Sequence, residues 1–266
     1  MAERAIIGLT DWLKTPAGRY VLQWEQAHLD TAVVDLFGFH ALQLGLPELD
    51  ALRANRMPHR WVATDTVPGS EKPPSPDAPP RAAVALHCDF DALPFDSSSL
   101  DLVVLPHALE LARDPHLALR EVERVLMPEG RVVVVGFNPA SLWGMRQRLG
   151  HWLKWLGARR SRPLFLPSAG EFMRYRRLRD WLRLLSFEVE AGRFGCYRPP
   201  VAAEKWLSRF AWVERAGERW WPVFGAVYFV VAVKRVRGMR LIGLVREQRV
   251  PAHAPLIATH HNKDPE

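Results

Sequence analysis

Three short apolar runs stand close together in the middle of the chain: Ala82 to Leu86, Leu100 to Leu105 and Val132 to Val135. Neither LDLVVL nor RVVVVGF alternates apolar with polar residues, which is the pattern of strands in a parallel sheet covered by helices on both faces. Between the second and third runs, Asp114-Pro115 opens a helix with a capping acid and a proline in the first turn. Ala118, Val122, Val125 and Leu126 give that helix a sheet-facing stripe, Arg120, Glu121, Glu123 and Arg124 face water, and MPEG ends it. Outward from this centre, residues 18–37 predict an amphipathic helix stopped at Gly38, and HALQLG (40–45) a first strand. A short helix from Glu48 to Asn55 and a second strand from His59 to Asp65 follow. Six prolines in 66–81 exclude a regular helix and predict an exposed loop. Helices over 140–160 and Glu171 to Leu185, a sixth strand from Phe187 to Phe194 and a last one over 223–235 complete the pattern. The fold class is α/β: a Rossmann-like sheet of seven strands, mostly parallel, with helices on both faces.

Ligands of such sheets gather where the strands end at their carboxyl edges. The polar residues just past the runs, Asp89, His107 and Asn138, are therefore the first candidates for a site. The segments CDFDALPFDSSSLDLVV and ELARDPHLALREVERVLMPEGRVVVVGF also resemble the central part of class I S-adenosylmethionine-dependent methyltransferases of the type 11 kind. The quinone-biosynthesis methyltransferases are the most similar group. FGFHALQLG and GFNPASLWGMR further resemble two segments shared by a bacterial group of methyltransferase-like proteins.

The resemblance implies a last strand running antiparallel between the fifth and sixth, and S-adenosyl-L-methionine as cofactor. In such enzymes the first strand ends in an acid and a glycine-rich turn. Here Gln43 stands at the acidic position, Gly45 matches the first glycine, and Pro47 and Leu49 replace the later ones. Asp65, 20 residues beyond Gly45, is read as the ribose ligand or as an ordinary loop acid. Asp89, with Phe90 beside it, stands where the family holds the adenine amine, or else caps a turn. His107 follows the fourth strand, at the position facing the transferable methyl; it is the candidate catalytic base, or a histidine of the pocket wall. Asn138, donor and acceptor at once, and Trp143, a flat apolar wall, are the candidate acceptor contacts.

Composition narrows the picture. With 266 residues the chain has room for one large α/β domain: residues 1–38 as a helical cover, 39–235 as the methyltransferase domain with a basic helical insertion at 139–185, and 236–266 as a flexible basic tail. Absence of a long apolar run and of a signal-peptide pattern points to a cytoplasmic protein, with Cys88 and Cys196 as free thiols. The histidines at 253, 260 and 261 are too loosely spaced for a metal site, and no nucleophile motif occurs. A net charge of +7 favours anionic partners. Between Arg146 and Arg183 eleven Lys/Arg face two acids, interleaved with Trp152, Trp155, Tyr175 and Trp181. That face is a solvated surface or a contact for nucleic acid or an anionic membrane. A small-molecule acceptor is the expected partner of an enzyme. The second reading is a non-catalytic binding or regulatory protein that keeps the fold and has lost the glycine turn.

Overall fold

The computed structural model describes residues 7–65, 82–155, 165–167, 172–201 and 203–235, all within the unit Met1–Val236. The proline-rich stretch 66–81 and the basic tail 236–266 lie outside the described residues. The strands are β1 His40–Leu44, β2 His59–Thr64, β3 Leu86–His87, β4 Leu100–Pro106, β5 Leu126–Phe137, β6 Phe187–Gly195 and β7 Val227–Lys234. They form one seven-stranded sheet in the order β3-β2-β1-β4-β5-β7-β6. The first five pair in parallel, and β7 runs antiparallel to both β5 and β6, between which it lies.

The unbroken apolar runs have a direct cause. On β4, Leu102 and Val104 enter one core while Val103 and Leu105 enter the other. On β5, Val133, Val135 and Phe137 alternate in the same way with Val132 and Val134. Both faces of each strand are buried, so each residue must be apolar. On one face lie α1 (Ile7–Leu13) and α2 (Pro16–Val33), contributing Leu9, Trp12, Val21, Leu29 and Val33. On the other lie α4 (Pro115–Val125), through Ala118, Leu119, Val122 and Val125, and α6 (Tyr175–Leu184), through Leu178 and Leu182. Asp114 caps α4 by accepting from the His116 and Leu117 amides at 2.9 and 3.1 Å, an arrangement that stabilises by about 1 kcal/mol. β7 is buried along its whole length. Its last residue, Lys234, donates to the Glu123 and Leu126 carbonyls and meets the Glu123 carboxylate at 3.1 Å, which ties the strand to the end of α4.

Three expectations change. The helix from Glu48 to Asn55 is a series of tight turns instead. Pro47 has no N–H, its carbonyl accepts from Ala82 N at 2.8 Å, and the Ala51 N–H, which a helix would send to that carbonyl, goes to Gln43. The third strand is shorter, with only Leu86 and His87 in the ladder. The third change lies around the last strands. A short α7 (Glu204–Arg209), α8 (Trp212–Trp220) and a 3₁₀ turn (Pro222–Phe224) precede β7, which starts at Val227 and not at 223.

At the far edge, α2 seats its Trp24 directly on the end of β6. A methyl group at Gly195 would stand 2.0 and 2.1 Å from Trp24 Cε2 and Cζ2, and the indole is held from behind by stacking on His28 at 3.9 Å. Gly195→Ala is therefore expected to lower stability by about 1–3 kcal/mol through overpacking. A urea unfolding curve measures this; an unchanged midpoint would mean that α2 is not clamped there.

Candidate active site at the carboxyl edge of the sheet

The turn after β1 is shaped by one side chain. Gln43 is fully buried; its amide nitrogen lies 3.1, 3.0 and 2.7 Å from the carbonyl oxygens of Gly45, Leu46 and Leu49, and its oxygen accepts from Ala51 N at 2.9 Å. Gly45 takes the left-handed conformation, φ +78°, that glycine adopts without strain. Leu46, also left-handed at φ 43°, and Leu49 turn their side chains into the core. Beyond Gly45, Ala108 Cβ and Phe90 Cζ lie 3.6 and 3.7 Å from where its Cβ would be. The β1 turn, the tip of β4 and Phe90 thus meet at one place.

Beside it stand the ends of β2 and β3, laced by Thr64 Oγ1 and His87 Nδ1 at 2.9 Å and by Cys88 N donating to Thr64 O at 2.9 Å. Asp65 and Asp89 are both exposed, and both act on the half-buried Cys88 between them. Burial first, then the charges of Asp89 and Asp65, push that thiol up to about 11. Asp89 Oδ1 also accepts from Asp91 N at 3.2 Å, the turn-capping contact that the sequence offered as its alternative role. Carboxylates at these two strand ends are acceptors of the kind that suits the hydroxyls and amine of a nucleoside. The turn fits an extended amino-acid end less fully, because Pro47 offers no N–H. A cavity of about 240 Å³ lined by His40, Trp61, Phe95 and Leu100 lies at the opposite edge, where β1 and β4 begin.

His107, expected as a candidate base, closes β4 in the left-handed conformation, φ 54°, and is completely buried. Its Nε2 lies 2.8 Å from Glu25 Oε1 and its Nδ1 2.8 Å from Glu110 Oε2. Glu110 Oε1 accepts from Phe137 N at 2.5 Å. Burial alone would lower the imidazole pKa, but the charges of Glu25 and Glu110 and their hydrogen bonds push it up to about 10. Burial likewise raises Glu110 against the pull of His107 and the Phe137 amide. Among the described residues, Glu25 Oε2 and Tyr228 Oη, both buried, meet no hydrogen-bond partner. The carboxylates take opposite nitrogens of one ring, so the three groups form a line and not a cage. Among the described residues no group is placed to hold a metal ion.

Glu25, Glu110 and Tyr228 were not anticipated. One signal was present for Glu25: it sits between Val21 and Leu29 on the apolar stripe of α2, where an acid needs a buried partner. Asn138 and Trp143 are brought to the β5 end of the same edge, but both are buried. Asn138 Nδ2 donates to Val223 O and Gly225 O at 2.8 and 2.9 Å, and its Oδ1 accepts from Ala140 N. Trp143 Nε1 donates to Arg198 O at 2.6 Å. Both therefore form the wall from behind and present no free polar atom toward the edge.

Residues 48–134 match the family model described as a methyltransferase domain. The fold is similar to that of a solved S-adenosylmethionine-dependent methyltransferase of Thermotoga maritima, with a TM-score of 0.56 and 16% identity over 88% of this chain and 97% of that one. The chain thus combines the fold seen in solved S-adenosylmethionine-dependent methyltransferases with a methyltransferase-domain match over residues 48–134. Over most of its length it is similar to the uncharacterized protein YafS of Escherichia coli, 28% identical over 243 residues, 90% of this chain and 87% of that protein. A shorter stretch of 54 residues is 37% identical to the demethylmenaquinone methyltransferase of Chlamydia pneumoniae, covering 20% of this chain and 24% of that one.

The charged line makes stability depend on pH. The folded state holds the His107 proton more tightly than the unfolded chain, whose imidazole has the ordinary value of 6.5. The stability it contributes is complete below about 6.5 and is lost as the pH rises toward about 10; Glu110, also raised, acts in the same direction. Unfolding free energy should fall between pH 7 and 9 with a slope of at most about 1.4 kcal/mol per pH unit. His107→Gln should flatten it. An equal slope in that variant would assign the dependence to other groups.

Proposed function

We propose that this chain transfers a methyl group from S-adenosylmethionine to a small-molecule acceptor at the carboxyl edge of its sheet. The observation that supports the reading is the placement of two exposed acids, Asp65 and Asp89, just past β2 and β3 on the edge that carries the left-handed turn at Gly45. In this reading Asp65 accepts from the ribose hydroxyls, Asp89 accepts from the adenine amine, and Phe90 gives the purine an apolar floor. The backbone that Gln43 sets around Gly45 receives the amino-acid end. When bound, S-adenosylmethionine supplies a methyl group on a sulfonium centre, open to in-line displacement, so that positioning accounts for most of the acceleration. Residues 1–38 cover the domain 39–235.

His107 holds a proton just behind the edge. With both nitrogens protonated it cannot accept another; when Glu25 withdraws and takes the Nε2 proton with it as its carboxylic acid, Nε2 is left unprotonated toward the opened space while Glu110 still orients the ring through Nδ1. His107 is then the base for an acceptor that carries a proton. Asn138 and Trp143 set the acceptor side indirectly, by fixing where the chain leaves β5.

S-adenosylmethionine or its demethylated product, at about 100 times its dissociation constant, should stabilise the fold by roughly 2.7 kcal/mol, visible as a rise in Tm. Asp65→Ala and Asp89→Ala should each weaken binding by about tenfold or more, the loss expected for one charged hydrogen bond. Absence of any shift with either ligand would end this reading. A shift that both variants retain would move the nucleoside elsewhere.

A further inference from the structure

The helix α5 (Leu142–Trp155) leaves the sheet four residues after Asn138 and carries apolar residues on two opposite faces. Its inner face is committed. Trp143 and Gln147 are buried, the former bonded to Arg198 O and the latter accepting from the Phe165 and Leu166 amides at 3.0 and 3.1 Å. Its outer face shows Leu142, Met145, Leu149 and Trp152, each between 53 and 55% exposed. Successive gaps of three, four and three residues put these four side chains on one stripe. Because the inner face is pinned, α5 cannot roll to hide the stripe.

The outer face has company. Asn138 holds the carbonyls of Val223 and Gly225, so the 3₁₀ turn lies beside the start of α5. That turn exposes Val223 and Phe224, with Trp221 next to them, at 56, 51 and 59%. The sequence of α5 contains no acid, and the chain's net charge is +7. Arg148 is exposed beside Leu149.

We propose that the outer face of α5, with the neighbouring 3₁₀ turn, docks on an anionic lipid surface. The apolar stripe with tryptophan sinks to the boundary between headgroups and acyl chains, while Arg148 meets lipid phosphates. Nucleic acid fits this face poorly, because its centre is aliphatic and offers phosphates nothing. Among the described residues no helix is long and apolar enough to cross a membrane, so the contact is with the surface. The proposal does not rest on methyl transfer, and its test uses no cofactor.

The full chain is sedimented with vesicles of phosphatidylcholine alone or mixed with phosphatidylglycerol, at low and high salt. Binding is expected to the anionic vesicles, to weaken with salt, and to fall by about tenfold or more in the double variant Met145→Glu, Leu149→Glu. Leu184→Glu, at an exposed leucine on α6, should bind as the unchanged chain does. Unchanged melting temperatures establish that the variants fold. Failure of the unchanged chain to bind anionic vesicles at low salt overturns the proposal, as does full binding by the double variant. A dimer in solution that the double variant dissociates, without vesicle binding, assigns the face to a second copy of the chain and overturns it too.

Discussion

A fully buried histidine held between two buried carboxylates constrains everything near the carboxyl edge of this sheet. Removing ions from water is expensive, and the arrangement survives only if each charge keeps a partner at hydrogen-bonding distance. As long as Glu25 stays on His107, it sets the rotation and height of α2 over the sheet. Glu110 must reach both His107 and the Phe137 amide, which fixes the short helix α3 (Ala108–Leu111) against the end of β5. Close packing enforces the same registry. At Gly136 a methyl group would stand 2.6 Å from Tyr228 Oη and 3.0 Å from Glu110 Oε1, so only glycine lets β5, β7 and α3 meet.

The turn after β1 solves a different problem by similar means. A glycine-rich turn is loose and leaves its amides available to a ligand. Here Pro47 and Leu49 remove that freedom, and a neutral amide, Gln43, binds the carbonyls of the turn. A carboxylate at position 43 could accept from Ala51 N but could not donate to the three carbonyls. The exchange of acid for amide and the loss of glycines are therefore one change: the side chain supplies donors that the tightened backbone turns inward. The carboxylates of Asp65 and Asp89 are left as the exposed polar part of the edge.

Much of this was legible in the sequence because it depends on patterns that extend over many residues. Continuous runs such as LDLVVL can be satisfied only between two covered faces, and Asp114-Pro115 can hardly do anything but start a helix. Asp65 and Asp89 could be expected at one edge because they come just past β2 and β3, and parallel strands deliver their ends to the same side. What was not legible depends on contacts between distant parts of the chain. Glu25 and His107 are separated by 82 residues, and nothing local to His107 shows that both nitrogens are occupied. Asn138 looks like a free hydrogen-bonding group until the 3₁₀ turn, 85 residues away, takes its amide. The helix expected at Glu48–Asn55 failed for the same reason, since Gln43 captures an amide that local propensity assigns to Pro47.

The two halves of the edge consequently differ in kind. On the β2–β3 side the carboxylates of Asp65 and Asp89 are exposed to solvent, so reaching them does not require opening a buried cluster. On the β4–β5 side the polar atoms are paired with one another, and a ligand can use them only by displacing an existing partner. Glu25 is the partner whose departure disturbs least. It belongs to a helix laid over the sheet, whereas Glu110 is locked between His107 and the β5 backbone. Among the described residues one of its two oxygens meets no hydrogen-bond partner, so less binding holds Glu25 than holds Glu110. Any opening of the β4–β5 half must then begin at α2, and the proton on His107 decides how strongly α2 is held.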